Sequence, residues 1–471
     1  MSQPPHTMPA PPAPDADLGA PALSTRAHIR AVGALGLPLI GSHVAQYAIN
    51  LIDAVMLGRY DVEALAAEVL GGTLFFVLFI MGSGFAFGVM PMVAEAMGRG
   101  AESEVRRAAR MGLWISLLFG LATLPLFLLS EHFFLAIGQE AQTSALAGEY
   151  LSVLGFTILP ALVVMVLKNY LAALERTQVV LWITLIALPL NALLNYPLIF
   201  GAWGLPELGV LGAAIGSLLA TLFSMLALIA YIWIKVPQHA IFSRIWRPDW
   251  EAFGAVFRLG WPIGISNLAE VGLFAAASVM AGWLGTLVLA GHGIALQITS
   301  LTFMVHLGLS NAATVRAGRA MGRGDGAGLK RGARVVIAMS LCVAILTALG
   351  FVIFGADLVG LFLSADDPDR AQVVRIGAVL LAAAAVFQLV DAAQVMGIGL
   401  LRGLHDTRVP MVIAAVSYWL IGVPASYLLG FVFGLGGVGL WLGLAVGLAF
   451  AGVAMMWRFW RVAAPKVGAP A

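Results

Sequence analysis

The chain has 471 residues, of which 61% are hydrophobic and only 11% charged, and its formal net charge is +2. Soluble domains carry about 25% charged residues, so this composition excludes an ordinary soluble protein. The single cysteine, Cys342, excludes a disulfide framework and a thiolate metal site.

The N-terminal segment is rich in proline and contains no apolar run. Seven prolines fall within the first 21 residues, and a secretory signal would need a continuous apolar core there. We therefore expect residues 1–28 to be a disordered cytoplasmic tail.

The rest of the chain consists of apolar runs of about 20 residues or more, long enough for a helix to cross ~30 Å of hydrocarbon. Helices satisfy their own backbone hydrogen bonds inside lipid, and the weak alternating pattern of a β-barrel is absent. The runs predict twelve spans, near residues 33–57, 68–94, 110–129, 148–172, 178–200, 208–235, 255–282, 286–315, 334–359, 372–401, 409–430 and 436–461.

Basic residues alternate between the two sides of this predicted arrangement. If the N-terminus is cytoplasmic, 23 of the 26 basic residues lie on the inner side, and only Arg59, Arg370 and Arg375 lie outside. Lys and Arg concentrate in cytoplasmic loops, so we expect both termini in the cytoplasm and the chain in the cell (inner) membrane.

The two halves of the chain repeat each other at fixed offsets. At an offset of 224, Pro38 aligns with Pro262, and the five residues AMGRG at 96–100 recur at 320–324; further along, at an offset of 227, Pro197 aligns with Pro424. Six spans per half is an even number, so both halves insert in the same direction. Parallel halves can rock about a central cavity, which favours a transporter over a channel or scaffold.

These observations predict an all-α integral membrane protein of twelve transmembrane helices, in two parallel six-helix repeats around a central cavity. We expect an N-lobe at 29–237, a cytoplasmic linker at 238–254, a C-lobe at 255–462 and a cytoplasmic tail at 463–471. The lipid bilayer is then an obligatory partner, and no feature favours nucleic acid.

Three acids fall at membrane depth, where ionisable groups are costly and by default functional. Asp53 lies in the first span, Glu270 in the seventh and Asp391 in the tenth, and no Lys or Arg lies mid-span to neutralise them. Unpaired carboxylates suit an organic cation, or a proton, because burial disfavours the charged form of a carboxyl group. Alternatively, each acid is protonated and holds helices together through hydrogen bonds. Polar residues at similar depth are Gln46, Asn50, Asn191, Asn195, Ser217, Asn267, His292, Gln297, Gln388 and Gln394. We expect all of these except Asn267 and Gln394 to line the central cavity.

The repeat does not duplicate these acids. The mate of Asp53 is Ala277, and the mate of Glu270 is Gln46. The two halves therefore predict two unlike sites on a shared scaffold. Glu68 and Glu95 lie near helix ends, where we expect solvated or interfacial side chains.

Enzymatic motifs are missing from the sequence. No lysine follows a glycine, so there is no phosphate-binding loop, and no HExxH segment occurs. We expect a secondary transporter without a cofactor rather than an enzyme.

The stretch PLIGSHVAQYAINLIDAVMLGR in the first span resembles the multidrug and toxic compound extrusion (MATE) family, in its bacterial NorM-like branch. Further motifs are LAEVGLFA around Glu270, FQLVDAAQVMGIGLLRG around Asp391, and LPLNALLNYPLIFG in the fifth span. The resemblance covers all twelve spans and leaves out only the tails.

The resemblance implies roles for several of these residues. Asp53, Asn191 and Asn195 would form the N-lobe cation or proton site, with Ser217 where the family often has threonine. Glu270 and Asp391 would form the C-lobe ion site, at which Na⁺ is one candidate. Phe387 stands where the family has a tyrosine, so one hydroxyl ligand for Na⁺ is missing, whereas proton coupling needs only a carboxylate. Phe387 and Gln388 would line this site.

The implied function is export of amphiphilic organic cations, such as drugs and dyes, by antiport with H⁺ or Na⁺ in a monomeric protein. A lipid-linked oligosaccharide flippase of the same broader superfamily is the alternative. Its pyrophosphate substrate would require a basic cavity, whereas this cavity is expected to be acidic. A major facilitator transporter and a membrane scaffold or receptor fit the sequence less well.

Overall fold

The computed structural model describes residues 24–364 and 368–468, and within these ranges the chain is helical with no strand. Twelve helices are long and apolar enough to cross a membrane, as predicted, and each predicted span falls on one of them. They are α1 Thr25–Tyr60, α2 Glu63–Arg99, α3 Glu102–Leu128, α4 Ala141–Ala173, α5 Thr177–Phe200, α6 Gly209–Lys235, α7 Trp250–Trp283, α8 Thr286–Gly322, α9 Gly326–Gly360, α10 Arg370–Gly403, α11 Arg408–Val432 and α12 Gly436–Lys466.

The predicted segment boundaries need small corrections. The first helix begins at Thr25, because the Ser24 hydroxyl caps it by accepting the N–H of Ala27 at 3.2 Å, so residues 25–28 are not tail. Helix α7 begins at Trp250, inside the predicted linker, and α12 extends to Lys466. Residues 1–23 and 469–471 of the two predicted tails lie outside the described residues.

Each half of the chain builds its own core. One cluster of buried apolar side chains runs from Leu273 to Ala464 and takes only Val32 from the first half. Two further clusters are made mainly of residues from the first half. The chain therefore folds as two lobes, as the internal repeat predicted.

The lobes meet through α1, α2, α7 and α8, and the contacts follow the repeat. A Cβ atom added to Gly84 on α2 would lie 2.4 Å from the backbone nitrogen of Gly264 on α7. Their repeat mates, Gly308 on α8 and Ile40 on α1, touch in the same way, with 2.5 Å between an added Cβ atom and Cγ1 of Ile40. Glycine permits this close approach of backbones, which is common between membrane helices.

The first and last helices of the described residues begin and end on one side, which we call the terminal face. His28, near the start of α1, lies 2.8 Å from Arg316 near the end of α8, and Val467 touches Gly326 at the start of α9. At this face Arg319 of α8 forms a 3.0 Å ion pair with Glu175 of the first half.

Further from the terminal face, two hydrogen bonds join α1 and α8. His43 bonds to Asn311 at 3.1 Å, and the Tyr47 hydroxyl donates to Gln297. Asn50, one turn beyond Tyr47, is exposed. Contacts between the lobes thus extend from the terminal face to the Tyr47–Gln297 bond, so the lobes are closed on the terminal side.

Candidate functional site

The Asp53 carboxylate lies inside the N-lobe, between α1, α5 and α6. Asn195 donates from Nδ2 to Oδ1 of Asp53 at 2.6 Å, and the Ser217 hydroxyl donates to Oδ2 at 3.0 Å. Only 9% of Asp53 is exposed. Each carboxylate oxygen thus accepts one neutral donor, and no ion pair to Asp53 occurs among the described residues.

Helix periodicity and one glycine explain this geometry. Asn191 and Asn195 are four residues apart on α5, so they share one helical face, and Asn195 also donates to Asn191 at 3.5 Å. Asn191 in turn donates to Ser217 at 3.5 Å. A Cβ atom added to Gly216 of α6 would lie only 1.8 Å from Oδ1 of Asn195. Gly216 therefore makes the space in which Asn195 points at Asp53.

Two neighbours of Asp53 were not predicted from the sequence. Glu68 of α2, expected at the interface, is half-buried and lies within electrostatic range of Asp53. Tyr150 of α4 is buried and lies within the same range of both carboxyl groups. The N-lobe site therefore contains two carboxyl groups, Asp53 and Glu68, rather than one.

A second polar cluster lies in the C-lobe around Asp391 of α10. Asp391 is 1% exposed, and neither of its carboxylate oxygens has a hydrogen-bond partner among the described residues. The same holds for both polar side-chain atoms of Gln388. Gln394 donates from Nε2 to the hydroxyl of Tyr418 on α11 at 2.6 Å, and Glu270 of α7 lies within electrostatic range of Asp391.

The chemistry of the C-lobe donors fits a small cation. Unpaired polar atoms are costly inside a membrane, and carboxylate and amide oxygens are hard ligands that bind a proton or an alkali ion. No group of three or more His, Cys, Asp or Glu residues suited to a metal ion occurs within 24–364 and 368–468. Amide and hydroxyl groups would therefore have to complete any Na⁺ shell around Glu270 and Asp391.

The expectation that no basic group neutralises the acids is wrong for Glu270. Arg402, one residue before the end of α10, lies within electrostatic range of it. The Arg402 guanidinium donates to Oδ1 of Asn267 at 2.8 Å and stacks over Phe87 of the other lobe at 5.7 Å. Its long side chain carries charge back into the helix bundle, which a count of mid-span residues misses.

The remaining predicted residues divide into two groups. Phe387 and His292 are buried within the C-lobe, where both pack against Trp441, at centroid distances of 5.4 and 5.6 Å. Nε2 of His292 lies 3.2 Å from the Ser278 hydroxyl, within hydrogen-bond distance. The other group is exposed: Gln46, Asn50 and Gln297.

The fold and its two buried acidic clusters define a polytopic membrane transporter. The sequence model of the MatE family matches residues 38–197 and 262–428, one segment in each half. The chain therefore belongs to the MATE family, as the sequence resemblance predicted, and it is a transporter rather than an enzyme.

Curated relatives cover nearly the whole chain. A "Probable multidrug resistance protein NorM" of Rhizobium meliloti (strain 1021) is 46% identical over 94% of this chain and 96% of its own length. One with the same description from Agrobacterium fabrum is 43% identical over 92% of this chain and 93% of its own length.

Solved structures share the fold. A MATE family transporter described in an outward-facing conformation has a TM-score of 0.85 at 21% identity, covering 93% of this chain and 97% of that one. A eukaryotic MATE transporter has a TM-score of 0.83 at 19% identity, covering 94% and 99%.

Proposed function

We propose that this protein is a multidrug efflux transporter that exports lipophilic organic cations in exchange for H⁺ or Na⁺. The observation that carries the proposal is the Asp53 carboxylate, buried in the N-lobe and bonded only to neutral donors, Asn195 and Ser217. A buried charge without an ionic partner attracts a cation. The description of the curated relatives as multidrug resistance proteins supports the choice of substrate class.

Coupling follows from competition for the same negative charge. An inward proton or Na⁺ neutralises Asp53, or the Glu270–Asp391 pair, and the bound organic cation loses its counter-charge and leaves on the outer side. One charge crossing 100 mV supplies about 2.3 kcal/mol, and one pH unit supplies about 1.4 kcal/mol. A hundredfold substrate gradient requires about 2.8 kcal/mol. Moving the positive charge of the substrate outward against the membrane voltage adds to this requirement.

The orientation of the chain gives the transport direction. The positive-inside rule supports a cytoplasmic terminal face, in the cell inner membrane, because 23 of the 26 basic residues lie on that side. The lobes, closed at the terminal face by Arg319 and Glu175, are then in an outward-open state. Rocking about the seam between α1, α2, α7 and α8 opens the other side. One chain contains both lobes, so a monomer suffices.

Transport into inside-out proteoliposomes tests the proposal. A fluorescent cation is offered under a pH gradient alone and then under a Na⁺ gradient alone, which also identifies the coupling ion. We expect gradient-driven uptake by the wild type and none by Asp53→Asn, which keeps the shape of the side chain but not its charge. The matched control is Asp61→Asn: Asp61 is exposed and caps α2, and asparagine caps a helix equally well.

Wild-type uptake by Asp53→Asn would refute the role of this carboxylate, and no uptake by the wild type under either gradient would refute antiport. The flippase alternative predicts instead that a lipid-linked pyrophosphate competes with the cation. The carboxyl groups of Asp53 and Glu68 in the N-lobe argue against such an anionic substrate.

A further inference from the structure

A small pocket opens at the terminal face, where the start of α1 lies against α8 and α9. Its volume is about 20 Å³, and a cavity needs about 10–15 Å³ to hold one water molecule. His28 of α1, Arg316 of α8 and Leu329 of α9 are among the residues that line it. The pocket therefore lies where a helix of the first half meets the C-lobe, and it has room for one or two water-sized groups.

The hydrogen bond between Arg316 and His28 fixes the tautomer of the histidine. A guanidinium group can only donate, so Nη2 of Arg316 donates to Nδ1 of His28 at 2.8 Å. The imidazole is therefore neutral and carries its hydrogen on Nε2. His28 is 2% exposed, and its Nε2 has no hydrogen-bond partner among the described residues. His28 thus brings to the pocket a buried N–H donor without an acceptor.

Arg316 contributes a second donor of the same kind. Its Nε atom is buried and also lacks a partner within the part of the chain that the structure describes. Nearly all buried polar groups in proteins are hydrogen-bonded, and each exception requires an explanation, such as a bound ion or water. Two such donors in one pocket indicate a group that accepts hydrogen bonds from both.

The charges that line the pocket favour an anion over water. Arg316 and Arg323 are cationic, and among the described lining residues Asp325 alone is acidic. The Asp325 carboxylate already caps α9 by accepting the N–H of Gly328 at 2.7 Å. Two guanidinium groups against one carboxylate leave an excess of positive charge, which a water molecule would not neutralise.

The charges around the pocket do not reverse this balance. Arg331 lies within electrostatic range of His28 and adds to the positive charge. Glu175 lies within range of Arg316 but forms a 3.0 Å ion pair with Arg319. Room for one or two water-sized groups suits chloride, a single atom, better than the four oxygens of a phosphate group.

We propose that this pocket binds a chloride ion, which accepts the unpaired N–H groups of His28 and Arg316. The ion links α1 to the C-lobe at the terminal face. A ligand shifts a conformational equilibrium toward the state that binds it more tightly, so chloride favours the closed terminal face. The inference goes beyond the proposed function and does not depend on which substrate is transported.

Anomalous diffraction from crystals grown in bromide tests the site directly, because bromide replaces chloride and has a strong anomalous signal. We expect a bromide peak within hydrogen-bond distance of Nε2 of His28 and Nε of Arg316. We expect no peak there in Arg316→Gln. A wild-type map without this peak overturns the inference.

The melting temperature of the purified protein shows whether chloride binds in solution. Sodium chloride replaces sodium gluconate at constant ionic strength, so the Na⁺ concentration and the screening stay the same. We expect a saturable rise in the wild type. His28→Phe keeps a ring but loses one hydrogen bond to the ion, so it should need roughly tenfold more chloride for half-saturation.

Two further variants complete this titration. If His28→Phe does not fold, Arg323→Gln keeps both donors, removes one positive charge and should also weaken chloride binding. The matched control is Arg258→Gln, whose exposed arginine bonds through Nε to the carbonyl of Gly254 on its own helix. We expect the wild-type response in this control.

Three results of these experiments would overturn the inference. The first is an equal response to chloride in the wild type and in the pocket variants. The second is a bromide peak without a response to chloride in solution, which is binding at crystal concentration only. The third is a response to inorganic phosphate, or to phosphatidylglycerol vesicles, without a response to chloride, which assigns the pocket to a phosphate group.

Maleimide labelling measures the effect on the terminal face. Ala312 of α8 is fully buried, and its Cβ lies 3.9 Å from a Cβ atom added to Gly36 of α1. Ala312→Cys, in a cysteine-free background, therefore reports separation of α1 from α8. We expect slower labelling in chloride than in gluconate, and no difference when Arg316→Gln is added. Equal rates without Arg316→Gln would overturn the effect of chloride on the closed state.

Discussion

Replacing Gly216 with alanine tests the N-lobe site without changing any charge. The new Cβ atom would lie 1.8 Å from Oδ1 of Asn195, whereas such contacts are not tolerated under 3.0 Å. Asn195 is fully buried, so its amide can escape only by turning away from the Asp53 carboxylate. We therefore expect Gly216→Ala to break the 2.6 Å bond between these residues.

The size of the effect follows from that bond. A hydrogen bond to a charged group contributes about 1.5–3 kcal/mol, and each 1.4 kcal/mol is a factor of ten. Loss of the Asn195 donor leaves the Asp53 carboxylate with only Ser217, so its charged form becomes harder to maintain. We expect the H⁺ concentration for half-maximal exchange to fall roughly tenfold or more in Gly216→Ala.

The assay is gradient-driven exchange of a fluorescent cation in proteoliposomes, measured as a function of pH. The matched control is Gly33→Ala on α1, where an added Cβ atom meets nothing within 4 Å. Alanine is a better helix former than glycine by about 1 kcal/mol, so the control should be as stable as the wild type or more so. A Gly216→Ala protein with the wild-type midpoint would show that Asn195 does not hold the carboxylate.

Two further predictions concern the terminal face. Arg319→Gln removes the 3.0 Å ion pair with Glu175 and should shift the equilibrium between closed and open states of the terminal face about fivefold toward the open state, the effect of ~1 kcal/mol. In a cysteine-free background, a maleimide should then label Ala312→Cys, which is buried at the seam, faster in Arg319→Gln than in the parent protein. An unchanged labelling rate would contradict this prediction. Hydrogen bonds from Arg107 lower the pKa of Asp249, so their stabilisation is complete above the unfolded value of about 3.9 and is lost as pH falls through the lower folded value. At pH 7 the melting temperature should thus be higher in the wild type than in Asp249→Asn, and in strong acid the two melting temperatures should be equal. A difference in melting temperature that persists in strong acid would rule out the ion pair as its cause.

The spans and the repeat could be predicted because both depend on strong periodic signals. Burial in lipid requires long apolar runs, so hydropathy alone gives twelve helices. The repeat also predicts contacts, since Gly98 and its mate Gly322 touch across the seam, an added Cβ on one lying about 3 Å from Cα of the other. Helix ends were less accurate, as at Thr25 and Trp250, because charged terminal turns extend beyond the apolar run.

The sites could be predicted only in part. Asp53 and Asn195 were expected in one N-lobe site, and the structure brings them together. Gln46 was expected to line the cavity; it is exposed, and its lining of a cavity stays a prediction, because a helix that is apolar all round gives no signal of which face its few polar residues occupy. The bond between Gln394 and Tyr418 depends on a π-helical turn of α11, Val416–Gly422, and the sequence VSYWLIG contains no pattern from which we could predict that turn.

The two acidic clusters differ in how their hydrogen bonds are satisfied, and this difference bears on the order of events in transport. Each Asp53 oxygen accepts a hydrogen bond from a neutral donor, so the N-lobe carboxylate can stay charged until a cation binds. The Asp391 oxygens have no such donor among the described residues, and an uncompensated buried charge is costly. On the proposed exchange mechanism, neutralisation is therefore favoured first in the C-lobe, and Asp53 remains available to the organic cation until a second neutralising event releases it.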